Sequence, residues 1–171
     1  MSEQTYNVLF LCTGNSCRSI LAECILNRIG EGRFKAYSAG SHPSGEPHPV
    51  ALELLQRFEH PIEHLRSKSW EEFAVADAPA MDFVVTVCDQ AAGEVCPIWP
   101  GKPLSAHWGF PDPAKFEGDE VQTRQFFEHV YGDINQLLTR FVGLSLDSMN
   151  PQDIARHLRE LEATAPEQLT R

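Results

Sequence analysis

The strongest restriction on how this chain folds is a set of short apolar runs, each leading into a helical pattern. Tyr6-Asn7-Val8-Leu9-Phe10-Leu11 is apolar and partly β-branched or aromatic, as a buried parallel strand should be. It enters Cys12-Thr13-Gly14-Asn15-Ser16-Cys17-Arg18-Ser19, then a helical pattern with Leu21, Cys24, Ile25 and Ile29 on one stripe and Gly30 and Gly32 as the stop. Phe34 to Ser38 reads as a second strand ending at Ala39-Gly40. A Pro- and Gly-rich loop over 41–49 precedes a helix from about Val50 to Phe58, and 59–80 is irregular. Asp82 to Cys88 is the clearest later strand, and Leu104 to His107 a short last one. Asp119 caps a long helix with Val121, Phe127, Val130, Ile134, Leu137, Leu138 and Phe141 inward. Strands alternating with helices imply βαβ units and a mostly parallel sheet, an α/β fold.

At 171 residues, with roughly 150 per domain, the chain predicts one domain over 1–141 and a tail over 142–171. Within the tail, Asn150-Pro151 is a helix start, and Ile154, Leu158 and Leu161 form a narrow stripe expected to pack on the domain. A chain that is 42% apolar and of this size folds without disulfide or metal staples. Its 24 acidic against 14 basic residues, net charge -10, argue against nucleic-acid or anionic-membrane binding. No export signal or run of 18 apolar residues is seen, so a soluble, cytoplasmic monomer is expected. Five cysteines, an odd number without an export signal, point away from a secreted disulfide scaffold.

The segment Cys12 to Ser19 carries the chemistry. A cysteine at a strand end, followed by Arg18 and a helix, places backbone N–H groups at a helix N-terminus, a natural anion site. Arg18 adds a planar fork for two oxygens of a tetrahedral oxyanion. Gly14 is expected to permit the tight turn, while Thr13, Asn15 and Ser19 hydrogen-bond the loop or the thiolate. With Ser16 and Cys17 they make up the predicted oxyanion loop, and its positive environment is expected to lower the Cys12 pKa. The plainer alternative is a buried strand-end cysteine. Zinc is disfavoured: Cys12-x4-Cys17 fits ligand spacing, but Cys88-x7-Cys96 does not and no histidine follows suitably, so neither metal nor cofactor is expected. His60 and His64, interrupted by Pro61, read as surface residues.

The C-x5-R-S pattern after an N-terminal strand resembles the low-molecular-weight protein tyrosine phosphatase family, and Cys-Thr-Gly-Asn-Ser-Cys-Arg-Ser resembles its arsenate reductase branch. Ser38-Ala39-Gly40, Val85-Thr86-Val87-Cys88 with Cys96-Pro97, and His107-Trp108-Gly109-Phe110 leading to Asp112-Pro113 extend the resemblance over about residues 6–141. It implies a three-layer α/β/α fold with a four-stranded parallel sheet, plus the C-terminal helical tail. It also implies Cys12 as nucleophile, Arg18 as oxyanion clamp and Asp112 as general acid. His107 and Trp108 are read as packing and orienting the Asp112 loop, with direct chemistry the alternative.

The tyrosines that follow Asp-Pro in the phosphatases are missing from Asp112-Pro113-Ala114-Lys115-Phe116. For the reductase branch the resemblance implies arsenate as substrate, with phosphate or sulfate as mimics. Cys88 would then attack Cys12 and Cys96 would attack Cys88 as the 88–96 segment rearranges. The resulting disulfide would be recycled by thioredoxin, glutaredoxin with glutathione, or mycothiol. The Cys88–Cys96 spacing is one residue longer than in the thioredoxin-coupled members. Asn15, Glu23 and Ser38 match a potassium site of some reductases, with Lys68 where a further carboxylate would stand, so its ammonium is expected in the ion's place. Phosphomonoester hydrolysis and an arsenic or thiol sensor are the competing readings. Cys17 and Cys24 are read as structural.

Overall fold

The computed structural model describes residues 5–88 and 103–165. Four parallel strands, β1 (Tyr6–Cys12), β2 (Phe34–Gly40), β3 (Phe83–Thr86) and β4 (Leu104–His107), lie in the order β2-β1-β3-β4. Among the described residues four α-helices accompany them: α1 (Arg18–Ile29), α2 (Pro49–Arg57), α3 (Glu120–Val142) and α4 (Pro151–Ala163). β3 is shorter than the run from 82 to 88 predicts, although Val87 and Cys88 are buried beyond its end.

Period-two alternation divides β1 between two cores. Val8, Phe10 and Cys12 face the larger one, into which all four helices send side chains, while Leu9 and Leu11 face a smaller one with Trp70, Phe73, Met81 and Val84. Trp70 and Phe73 belong to a 3-10 helix, Trp70–Phe73, capped by Ser69, inside the segment read as irregular. Both sheet faces are covered, which is why the strand runs are apolar throughout.

α1 lies between sheet and helices, so Ser19 through Leu26 are all buried, a wider face than the single stripe expected. Its C-cap Gly30 stays right-handed (φ -72°), and the left-handed steps fall on Glu31 and Gly32. α3 opens with a capping box between Asp119 and Gln122. Its burial begins at Phe127; Val121, expected inside, is 60% exposed because the first turn projects beyond the core. Phe141 anchors the other end, its ring 5.1, 5.3 and 5.4 Å from those of Phe34, Phe83 and Trp108.

Asn150 caps α4 by accepting from Asp153 N–H, and Ile154, Leu158 and Leu161 are buried in the main core. A hydrogen bond from Tyr6 to Asp147 ties the connection before it to the start of β1. His60 is buried, a correction to its surface reading: its Nε2 meets Tyr131 Oη of α3 at 2.7 Å, and desolvation lowers its pKa to about 4. His64 is exposed, 3.8 Å from Glu23.

Candidate active site

In a sheet of order β2-β1-β3-β4, loops leaving β1 and β3 diverge at a switch point beyond their C-terminal ends. Cys12 ends β1 and Cys88 follows β3. Leu11 pairs with Thr86, and Val87 N–H donates to Leu11 C=O at 2.9 Å. Both cysteines are buried, and Thr13 Oγ1 lies 3.7 Å from Cys88 Sγ. The Cys12 loop and a second thiol therefore share one sheet edge.

The loop wraps around Cys12. Its Sγ accepts the Asn15 N–H at 3.2 Å and lies 2.9 Å from Ser19 Oγ. Asn15 Nδ2 donates to the same hydroxyl at 2.9 Å, and its Oδ1 accepts Lys68 N–H at 2.9 Å. The left-handed residue of the turn is Asn15 (φ 46°), a residue type that tolerates this region; Gly14, expected to supply the turn, does not adopt a positive φ.

The loop's carbonyls are taken up from outside. His42 N–H donates to Thr13 C=O, Ser44 N–H and Ser67 Oγ to Gly14 C=O, and His48 N–H to Ser16 C=O, each at 2.9 Å. With its carbonyls held outward, the loop presents N–H edges inward, the polarity of an anion nest. Gly40, at the end of β2, makes that closeness possible: a Cβ there would lie 2.5 Å from Thr13 O and 2.9 Å from Asn15 N.

Arg18, the first residue of α1, reaches back over the loop. Nη1 donates to Phe110 C=O at 2.9 Å, and Nη2 lies 3.4 Å from Asp112 Oδ2. Its Nε is buried with no acceptor among the described residues, an N–H that suits an incoming oxyanion. Asp112 caps a short 3-10 helix, Pro113–Lys115, its Oδ1 accepting Ala114 N–H at 3.0 Å.

The thiol electrostatics correct one expectation. Burial pushes Cys12 up from its ordinary value, outweighing the downward pull of the Ser19 hydroxyl and the Arg18 guanidinium. Burial also pushes Cys17, beneath the start of α1, and Cys24, on its buried face, to about 12. Beside the loop, Glu23 is buried and accepts Ser38 Oγ at 2.5 Å, with Lys68 Nζ 4.0 Å from the same oxygen. Burial lowers the Lys68 pKa, and Glu23 pulls it back up. The ammonium donates to Arg66 C=O at 3.1 Å and stands 4.0 Å from Glu23. Among the described residues no contact from it to Asn15 or Ser38 accompanies these, and Asn15 Oδ1 instead accepts the Lys68 backbone N–H.

The structure brings Cys12, Arg18, Asp112 and Cys88 to one end of the sheet, with Thr13, Gly14, Asn15, Ser16, Cys17 and Ser19 in the loop. Cys96 lies outside the described residues. Among the described residues there is no group of three His, Cys, Asp or Glu placed to hold a metal, and no helix long and apolar enough to cross a membrane. The 41–48 brace leaves only a close succession of Gly, Pro and Ser in the sequence, and the Ser38-Ala39-Gly40 motif does not show that Gly40 lies against the Cys12 loop.

Fold and site together define a doubly wound α/β protein whose strand-end thiol sits in a loop of inward-facing backbone N–H groups, with a guanidinium and a carboxylate over it. The match to the model of the low molecular weight phosphotyrosine protein phosphatase family spans residues 7–157, and the chain belongs to that family. An arsenate reductase of Bacillus licheniformis is 36% identical over 141 residues, 82% of this chain and 96% of the relative. One of Staphylococcus aureus is 39% identical over 116 residues, 67% of this chain and 84% of the relative. Among solved structures, the thioredoxin-dependent arsenate reductase of Corynebacterium glutamicum aligns with TM-score 0.58 and 27% identity, over 85% of this chain and 65% of that one.

Proposed function

We propose that the chain is an arsenate reductase working by a cysteine relay. The observation that carries this is the meeting of Cys12 and Cys88 at one sheet edge, the second thiol reached through Thr13 at 3.7 Å. Hydrolysis of a phosphoenzyme needs one reactive cysteine and water; reduction needs thiols that supply two electrons. The names of the relatives support the same reading.

The loop amides and Arg18 hold the arsenate oxygens, and the Cys12 thiolate attacks arsenic(V) as Asp112 protonates the departing hydroxide to water. Cys88 thiolate then attacks Cys12 Sγ. The S–As bond breaks with its electron pair on arsenic, arsenite leaves, and a Cys12–Cys88 disulfide remains. Cys96 attacks Cys88, freeing Cys12 and forming Cys88–Cys96, which an external dithiol reduces. A thioredoxin-type donor is favoured by the Corynebacterium neighbour, with glutaredoxin and glutathione the alternative. A reduced starting state suits the cytoplasm.

Steady-state arsenite production with a thioredoxin system, compared between wild type and Cys88→Ser, tests the relay. Turnover should vanish in the variant; unchanged turnover would remove Cys88 from the mechanism.

A further inference from the structure

The chain outruns the Bacillus licheniformis relative that it covers almost completely, and its own C-terminal helix is fastened to the loop that carries Asp112. β4 is an edge strand, and an edge leaves backbone N–H groups without a ladder partner. One of these, His107 N–H, donates to the Glu162 carboxylate of α4 at 3.1 Å. The next residue, Trp108, is fully buried, and its Nε1 donates to Leu158 C=O of the same helix at 3.2 Å. Two residues further on, Phe110 is a junction. Its N–H donates to Val87 C=O, next to Cys88, at 3.2 Å, and its C=O accepts Arg18 Nη1 at 2.9 Å. Asp112 follows, 3.4 Å from Arg18.

The run from 107 to 112 is thus gripped on one side by Arg18 and the end of β3, and on the other by α4. We infer that α4 is a strut of the active site: Leu158 and Glu162 set the position of the loop that delivers Asp112, with Trp108 and Glu162 as positioning residues. The inference rests on the reading of Asp112 as general acid. Residues 151–163 then belong to the catalytic scaffold, because the hydrogen bonds that aim the acid end on them.

Trp108→Phe keeps an aromatic ring and removes the indole N–H. Its kcat for arsenate should fall about three- to tenfold with KM little changed, the scale of one misaligned hydrogen-bonded group. In an Asp112→Asn background, where general-acid catalysis is already lost, the same substitution should cost less than about twofold in single turnover at high enzyme concentration. Glu162→Ala should lower kcat about threefold, and Glu162→Gln, which keeps an acceptor for His107 N–H, should restore it. An equal loss from Trp108→Phe in both backgrounds would overturn the strut, as would Glu162→Gln failing like Glu162→Ala. If Trp108→Phe does not fold, the Glu162 pair decides alone. An Asp112→Asn enzyme with full kcat would instead remove the general-acid reading, and the strut with it.

Discussion

Cys12 Sγ sits 2.9 Å from Ser19 Oγ, a hydroxyl seven residues on and already inside the first helix. The hydroxyl is itself fixed by Asn15 Nδ2 at 2.9 Å, so it is aimed at the sulfur. Because burial raises the Cys12 pKa and this contact opposes the rise, Ser19 governs how much thiolate exists near neutral pH.

Ser19→Ala should therefore raise the Cys12 pKa further and lower the thiolate fraction at a fixed pH. Iodoacetamide alkylation of Cys12, followed by peptide mass, should slow about tenfold at pH 7.5, the worth of one hydrogen bond to a charged group. In wild type the alkylation rate should keep climbing above pH 8, as expected for a thiol whose pKa lies above its ordinary value. A rate independent of pH from 6 to 9 would contradict this.

Gly40→Ala should disable the loop without unfolding the sheet. The added methyl carbon would meet Thr13 O at 2.5 Å and Asn15 N at 2.9 Å, and these backbone atoms can only yield by shifting the loop. We expect a loss of at least about a hundredfold in kcat/KM for arsenate, the scale of a misplaced oxyanion site, with near-native far-UV circular dichroism. Native activity would show that the loop does not need this approach.

Lys68→Met should leave Glu23 buried without its ammonium partner. Stability in urea should fall by about 1–3 kcal/mol, since the buried carboxylate keeps its Ser38 hydrogen bond, and Lys68→Met with Glu23→Gln should recover most of it. A loss in the double variant equal to the sum of the Lys68→Met and Glu23→Gln losses would mean that the pair is not coupled.

The buried His60 gives a pH dependence of known sign. Its pKa is about 4 when folded against 6.5 ordinarily, so between these values the unfolded chain binds the proton more readily. Its contribution to stability is complete above pH 6.5 and declines as pH falls toward 4. The urea midpoint should drop across that window in wild type and less steeply in His60→Gln; identical slopes would refute the assignment.

Patterning exposes much of this fold, since β1 is a near-continuous apolar run buried on both faces and α3 buries a face whose spacing is written in the residues. The Cys12 loop is legible for a related reason: a thiol, an arginine and a following helix are side-chain features with fixed spacing. The 41–48 brace is not, because its hydrogen bonds join backbone groups and leave no mark on residue type. His60 looks exposed beside Glu59 and Pro61, and only the arrival of Tyr131 from α3, 71 residues on, buries it. The Cys12 pKa is misjudged from sequence because Arg18 is visible there, whereas the depth of the sulfur depends on the packed loop. The tail's stripe is visible, but its attachment to the Asp112 loop runs through a helix carbonyl, Leu158 C=O, that no sequence pattern announces.

The relay itself is tested most directly by peptide mass mapping of thiols after one arsenate equivalent reacts with fully reduced protein and no external reductant. One arsenite per chain should form, with a disulfide between Cys88 and Cys96 and Cys12 reduced. Arsenite formed while Cys88 and Cys96 both stay reduced would contradict the relay.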